Sequence, residues 1–187
     1  MTEHKVLFNG QSTGLDLASV QQVLQYIKDE VIPNVLDVKA ATDTVADVAT
    51  VKTPLDTMEY VKITKNDSIE RLVDKLKRID VSSTAMCVYS YGPHIQKMLS
   101  IIEIYKKTVQ SRKSETGSAT DNVEPIQWNK LLRFQVVSRG RNELLEKRIM
   151  VPIMITVIAP PSSTSALEAP RSQNLGGFTR QSVLNNR

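Results

Sequence analysis

The spacing of apolar residues predicts that the chain begins with a helix at about residues 18–32. Apolar side chains recur there at helical intervals, and Ser19 with Gln22 three residues later has the form of a capping box. The following stretch, 38–57, is small and acidic and has little periodicity. This composition indicates a loop, with a short marginal helix as the alternative.

Beyond residue 58 the pattern alternates between strand and helix. Strands show period-two alternation or short apolar runs, and helices show an apolar stripe opposite charged residues. Asp67 and Glu70 have the spacing of a second capping box, and Pro93 suits the first position of a helix. The predicted elements are strand 60–64, helix 67–79, strand 84–89, helix 93–110, strand 126–137 and strand 148–158.

This order, β-α-β-α-β-β, predicts an α/β (α+β) sandwich in which two helices lie on a four-stranded mixed sheet. An N-terminal extension, residues 1–57, adds the extra helix and the acidic loop. The domain spans 58–159 and includes a flexible polar loop at 111–125, whereas the tail, 160–187, has a disordered composition. Pro152 in the last strand indicates an edge position or a bulge.

The helix at 93–110 has more apolar surface than one core needs. On a helical wheel its apolar arc covers roughly 220°, against ~100° or somewhat more for an ordinary surface helix. Either the N-terminal helix or a partner subunit covers the excess, and the two apolar faces of strand 148–158 favour a partner. The predicted partner-interface residues are Ile95, Met98, Leu99, Ile101, Ile102, Ile104, Tyr105, Met150 and Met154.

Charge is unevenly distributed along the chain. The formal net charge is +4, yet residues 1–57 contain four lysines against eight acidic residues. Residues 58–159 contain 17 basic residues against 11 acidic ones, and the tail adds three arginines against one glutamate. The basic excess therefore coincides with the predicted domain, which makes nucleic acid a partner to test.

Few residues are available for enzymatic chemistry or metal binding. The single cysteine, Cys87, lies in an apolar strand, where thiols are usually inert, and it can form neither a disulfide framework nor a zinc set. His4 and His94 are far apart, and no phosphate-binding glycine motif is present. With no signal-like or membrane-length apolar run, we expect an intracellular, soluble protein with no metal, cofactor or membrane partner.

Three turns of the predicted domain are basic. KITKND (62–67) and SYGPHIQK (90–97) each join a strand to a helix, and SRGR (138–141) lies at a predicted hairpin tip. Free N–H groups and the dipole at a helix start favour phosphate, and Tyr91 suits stacking on a base. Each turn alone is also compatible with an ordinary solvated connection, but the three together indicate nucleic acid.

The sequence resembles the Alba-like protein subunits of yeast-type nuclear ribonuclease P and ribonuclease MRP. The most specific segments are CVYSYGPHIQKMLSIIEIYKK at 87–107, and QWNKLLRF and RGRNELLEKRIMVPI within 127–153. LDLASVQQVLQYIKDEVIPNVL and ITKNDSIERLVDKL are also similar, so that the resemblance extends over about residues 15–158.

The resemblance implies an Alba fold without a catalytic site, since RNA carries the chemistry of these ribonucleases. It implies a heterodimer with a second Alba-like subunit, POP-seven, which binds the P3 region of ribonuclease P RNA and MRP RNA beside other ribonuclease P/MRP proteins. It also implies precursor tRNA and precursor rRNA processing in the nucleus and nucleolus, and a link to telomerase RNA. The alternative is a general Alba-type homodimer that binds DNA or chromatin.

Alba proteins touch nucleic acid with their two strand-to-helix turns and their last hairpin, which correspond to the three basic turns. The adjacent lysine pair that archaeal members have in the first turn is absent here. The RNA-binding residues that the resemblance implies are Lys62, Lys65, Asn66, Tyr91, Gly92, His94, Lys97, Arg139, Gly140, Arg141, Lys147 and Arg148.

Overall fold

In the computed structural model, one mixed sheet is flanked by three helices. The structure describes residues 4–34, 58–81, 84–116, 125–139, 146–159 and 177–182. The helices are α1 (Val20–Tyr26), α2 (Ile69–Arg78) and α3 (Ile95–Thr116). The strands are β1 (His4–Phe8), β2 (Gln11–Ser12), β3 (Glu59–Ile63), β4 (Met86–Tyr91), β5 (Ile126–Arg139), β6 (Glu146–Ala159) and β7 (Thr179–Ser182).

The sheet has the strand order β2-β1-β5-β6-β4-β3, and β7 also pairs with β5. β3 and β4 are parallel, whereas the other recorded pairs are antiparallel. β1 pairs with the C-terminal part of β5 and β7 with its N-terminal part. The protein is therefore α+β with a mixed sheet, and the order β3-α2-β4-α3-β5-β6 is the predicted one.

Apolar residues are buried on both faces of this sheet. On the α1 face, α1 and the turns that follow it at Ile27–Asn34 pack against the sheet. On the α2/α3 face, α2 and α3 pack together against the sheet. β4 contributes side chains to both cores. Cys87 and Tyr89 lie in the core of the α1 face, and Met86 and Val88 lie in the core of the α2/α3 face.

The starts of α1 and α2 follow the predicted capping boxes in part. Ser19 Oγ accepts a hydrogen bond from the Gln22 N–H at 3.4 Å, which confirms the first N-cap. The side chain of Gln22 does not complete the box, because its Oε1 accepts from the Asp16 N–H at 2.9 Å. The N-cap position of α2 falls on Ser68 rather than Asp67, so the second predicted capping box is wrong.

The sheet is larger than the predicted four strands. The hairpin β1–β2 and the short strand β7 extend it along the free edge of β5, and Phe178 beside β7 is fully buried. β7 lies in the segment predicted to be a disordered tail, and α3 reaches Thr116, inside the predicted loop 111–125. The acidic stretch 38–57 lies outside the described residues.

Pro152 lies within β6 at a point where this strand has one neighbour. It is opposite Arg133 of β5, whereas pairing with β4 begins one residue later at Ile153. A missing N–H is tolerated there because no β4 residue is opposite, in agreement with the predicted edge-like position. None of the described helices has the length and apolar character needed to cross a membrane.

Replacing Val23 of α1 with Ala should lower the free energy of unfolding by about 2 kcal/mol, because buried carbon atoms are lost and a cavity remains. Val23 is fully buried against the sheet, whereas Val20, three residues earlier, is 44% exposed and is the matched control. Val20→Ala should change the free energy by less than about 0.5 kcal/mol. Equal effects in chemical denaturation would contradict the packing of α1 on the sheet.

Candidate nucleic-acid interface

The first two basic turns and the ends of β5 and β6 that lead to the third lie at the same end of the sheet. β3 and β4 are parallel and end at Ile63 and Tyr91, so the turns that follow them are neighbours. β6 runs antiparallel to β4, and Tyr91 is opposite Ile153, so residues 146–152 extend beyond β4 at this end. At about 3.3 Å per residue, the β5–β6 hairpin projects roughly 23 Å past the end of β4. We call this region the basic end.

The first turn, between β3 and α2, is closed by a carboxylate. Asp67 Oδ2 accepts hydrogen bonds from the Thr64 N–H at 2.6 Å and from Thr64 Oγ1 at 2.8 Å. The bond from the hydroxyl is the main cause that lowers the pKa of Asp67, with smaller contributions from the Thr64 N–H and two lysines and opposition from partial burial. Asp67 therefore stabilises the folded protein at pH values above the ordinary pKa of an aspartate. This contribution is lost as the pH falls through the lowered pKa of the folded state. Lys65 and Asn66, between the two bonded residues, are exposed.

The side chain of Lys97, from the first turns of α3, reaches across to this same turn. Its Nζ donates to the backbone carbonyls of Thr64 and Lys65, each at 3.0 Å, and to that of Asp67. An ammonium has three donors, and each has an acceptor here. Lys97 therefore joins the first basic turn to the second, and a phosphate contact by Lys97 would require these bonds to be broken.

The second turn, between β4 and α3, has the predicted geometry of a strand-to-helix junction. A short 3-10 turn, Gly92–His94, precedes α3, and Pro93 lies in its first turn. Gly92 has φ +38°, a backbone conformation that side-chain-bearing residues rarely adopt. The glycine is therefore required by the turn itself, whether or not an anion binds there.

Tyr91 and Lys62 lie together on the α1 face of the sheet. Lys62 Nζ is 4.8 Å from the centroid of the Tyr91 ring, a cation–π distance, and the Tyr89 ring is edge-on at 6.5 Å. Burial is the main cause that raises the pKa of Tyr91. Lys62 and Lys65 thus point to different surroundings, the first to an aromatic ring and the second to solvent.

The first residues of β6, which follow the hairpin turn, are exposed and include two cations. Lys147 and Arg148 are exposed on β6, and by strand alternation they lie on opposite faces. Arg148 Nη2 is 3.2 Å from Glu146 Oε2, an exposed ion pair of the kind that contributes little stability. Arg133, which sequence reasoning missed, is exposed on the same face as Arg148, because Arg133 and Val137 share a parity and Val137 is opposite Arg148.

The remaining predicted RNA-binding residues of this hairpin are only partly described. Arg139 is the last residue of β5 and is opposite Glu146. Gly140 and Arg141 lie outside the described residues.

A further basic surface on α2 was not among the predicted sites. Arg71, Lys75 and Arg78 recur at helical spacing, are exposed, and line a shallow cavity of about 230 Å³ together with Asp74. Asp74 is itself paired with Lys77 at 3.2 Å. The spacing of these cations was visible in the sequence, but charged residues opposite an apolar stripe are the normal solvated side of a helix.

Four of the predicted interface residues are buried by this chain itself. Met98, Ile101, Ile102 and Tyr105 are at most 2% exposed within the core of the α2/α3 face. The sheet and α2 therefore cover most of the apolar surface of α3. The N-terminal helix, one of the two predicted covers, lies on the opposite face.

Other apolar side chains on the α2/α3 side of the sheet remain exposed. Leu99 and Ile104 of α3 are 40% and 42% exposed, and Met150 of β6 is 55% exposed. Leu131, which the sequence did not single out, is 49% exposed and lies opposite Met154 on the same face of the sheet as Met150. Ile95 and Met154, also in the predicted interface set, are half-buried.

The single cysteine is buried, and the described residues form no group that could hold a metal ion. Cys87 is fully buried, and burial raises the pKa of its thiol. No group of three or more His, Cys, Asp or Glu side chains that could hold a metal ion occurs in the part of the chain that the structure describes. His94 is half-buried in the 3-10 turn before α3.

Fold and site together define a basic α+β protein with an exposed, positively charged end. Over 183 residues the chain is 36% identical to the Ribonucleases P/MRP protein subunit POP6 of Saccharomyces cerevisiae, and the match covers 94% of this chain and 98% of the yeast protein. The chain therefore belongs to the family of this ribonuclease P/MRP subunit. A scan against protein-family models finds no match.

The thiol of Cys87 should not react with Ellman's reagent in the native protein at pH 8, because burial both blocks access and disfavours the thiolate. Unfolding in guanidinium chloride should release one reactive thiol per chain, which serves as the internal control. Rapid labelling without denaturant would contradict the inert role and reopen the question of a nucleophilic cysteine.

Proposed function

We propose that the protein is a non-catalytic, RNA-binding subunit of nuclear ribonuclease P and ribonuclease MRP. The observation that carries this proposal is the 36% identity with a protein subunit of these enzymes over nearly the whole of both chains. The order β3-α2-β4-α3-β5-β6 supports an Alba-like fold for the domain. The basic end supports RNA as the ligand, since phosphates attract surfaces of this sign.

The proposed target is the P3 region of the catalytic RNA. Lys65 and Asn66 at the apex of the first turn, and Lys147 and Arg148 on the hairpin, supply exposed groups for phosphate and 2′-hydroxyl contacts. The hairpin extends as an arm beside the two turns, so a helical RNA can lie between them. Arg139, the last residue of β5, and Arg141 are further residues that we propose bind RNA.

The proposed partner is a second Alba-like subunit, POP-seven. The exposed side chains of Leu99, Ile104, Leu131 and Met150 supply the apolar contacts, because interface cores are apolar and depleted in charge. The heterodimer would join the other ribonuclease P/MRP proteins in precursor tRNA and precursor rRNA processing in the nucleus and nucleolus. Telomerase RNA is a further proposed ligand of the pair.

Replacing Lys65 or Lys147 with Ala should weaken binding of a P3-type RNA and should each reduce the slope of log affinity against log salt by about 1, as expected for a lost phosphate contact. Lys107→Ala is the control, since Lys107 is exposed on α3 ten residues beyond Lys97 and away from the basic end. Fluorescence anisotropy of the reconstituted heterodimer over a salt series measures each slope. Unchanged affinity in both variants would reject the basic end as the RNA site.

The same titration, with duplex DNA as competitor, separates the proposal from a general DNA- or chromatin-binding homodimer. The ribonuclease P/MRP role predicts that structured RNA is retained against an excess of duplex DNA. Equal displacement by both nucleic acids would favour the homodimer alternative.

Met150→Glu and Leu99→Glu should each weaken association with the partner subunit by at least about tenfold, because burying an unpaired carboxylate at an interface costs several kcal/mol. Val20→Glu is the matched control, as Val20 has similar exposure but lies on the α1 face. Co-purification and analytical ultracentrifugation measure the effect. Normal assembly of both interface variants would contradict the proposed surface.

A further inference from the structure

We infer that Lys97 is a positioning residue, which holds the first basic turn in the shape that presents Lys65 and Asn66 to RNA and does not itself contact phosphate. The inference rests on the proposed RNA-binding function and deepens it. It differs from the expectation that Lys97 binds phosphate directly.

The geometry of the ammonium carries this inference. The backbone carbonyls of Thr64, Lys65 and Asp67 converge on Lys97 Nζ. Three carbonyl dipoles that point at one position repel each other unless a cation occupies it, and charge-assisted hydrogen bonds are stronger than neutral ones. Removing the ammonium therefore leaves three aligned carbonyl acceptors without this donor. Their mutual repulsion then favours an open conformation of the turn.

The same turn is closed from its other side by Asp67. The Asp67 carboxylate accepts from the N–H and hydroxyl of Thr64, while Lys97 binds the carbonyl of each of these two residues. An anion thus satisfies the donors of the turn and a cation satisfies its carbonyl acceptors. Lys65 and Asn66 lie between these two points, and their side chains extend into solvent.

The position of Lys97 at the start of α3 also couples the two strand-to-helix turns. Lys97 lies five residues after Gly92, so its backbone moves with the junction between β4 and α3. Its side chain therefore couples the second basic turn to the first. The two turns then present their groups to RNA as one rigid unit, which lowers the entropy lost on binding.

Hydrogen exchange of the RNA-free protein tests the positioning role without any assumption about RNA. Lys97→Met keeps the length of the side chain but removes its donors, and it should accelerate exchange of the Thr64 amide, which donates to Asp67, by at least about tenfold while the amides of β4 and β6 stay protected. Lys107→Met is the control. Unchanged exchange in the turn would overturn the inference.

RNA affinity then distinguishes positioning from direct contact. Lys97→Met should weaken P3-type RNA binding by about tenfold in the wild-type background but less than about twofold when Lys65 and Asn66 are already Ala, since Lys97 acts through them. A direct phosphate contact predicts the same loss in both backgrounds and would overturn the inference.

Asp67→Ala supplies an independent variant, which removes the acceptor of the Thr64 bonds without removing a positive charge. Electrostatics alone predicts tighter RNA binding, because a negative charge is lost, whereas positioning predicts weaker binding, because the turn opens. Tighter binding would count against the inference. If wild-type protein binds no RNA while Lys97→Met still loosens the turn, the proposed function fails and the positioning role of Lys97 in the fold stands.

Discussion

The arrangement of the basic end depends on the burial of β4 on both faces of the sheet. β4 lies between a parallel neighbour, β3, and an antiparallel one, β6, and both of its faces contribute to a core. Parallel neighbours run in the same direction and therefore end at the same edge of the sheet, where the helices that follow them start, and such strands are normally covered on both faces. The two strand-to-helix turns are therefore adjacent because the core fixes β3 and β4, and Lys97 can reach from one turn to the other.

The two faces of the sheet are covered by different segments of the chain. The α1 face is closed by the N-terminal segment, by β1 and by Phe178, whose ring is fully buried beside β7. The α2/α3 face is covered where the two helices lie, and Leu131 and Met150 remain exposed beyond them, as Ile149 does on the α1 face. The segments outside the domain thus cover the α1 face of the sheet. The α2/α3 face is the side for which we propose a partner subunit.

The periodic pattern of the sequence predicted the six elements from β3 to β6, because both period-two strands and the amphipathic α2 bury one side and leave a readable signal. β7, with the sequence TRQS, has no such signal and forms a strand only because the edge of β5 is available for pairing. The exposed apolar set on α3 was predicted too broadly, since a helical wheel cannot show that α2 and the sheet together bury Met98 and Tyr105. The carbonyl cluster around Lys97 could not be read from spacing at all, as its members are 30 to 33 residues away.

Several lysines make interactions within the protein, so the net charge overstates the number of cations that are available to bind an anion. Lys97 is bound by backbone carbonyls, Lys62 and Lys28 lie over tyrosine rings, and the buried Lys106 pairs with Glu103 at 2.6 Å. These cations stabilise the protein, and each would lose an internal interaction if it turned to a phosphate. The charge available for the proposed RNA contacts is therefore smaller than the formal excess of the domain, and it is concentrated on side chains with weaker internal interactions, such as Lys65 and Arg148. A basic domain recognises RNA through the few cations that its fold leaves at the surface, and their number is set by packing rather than by composition.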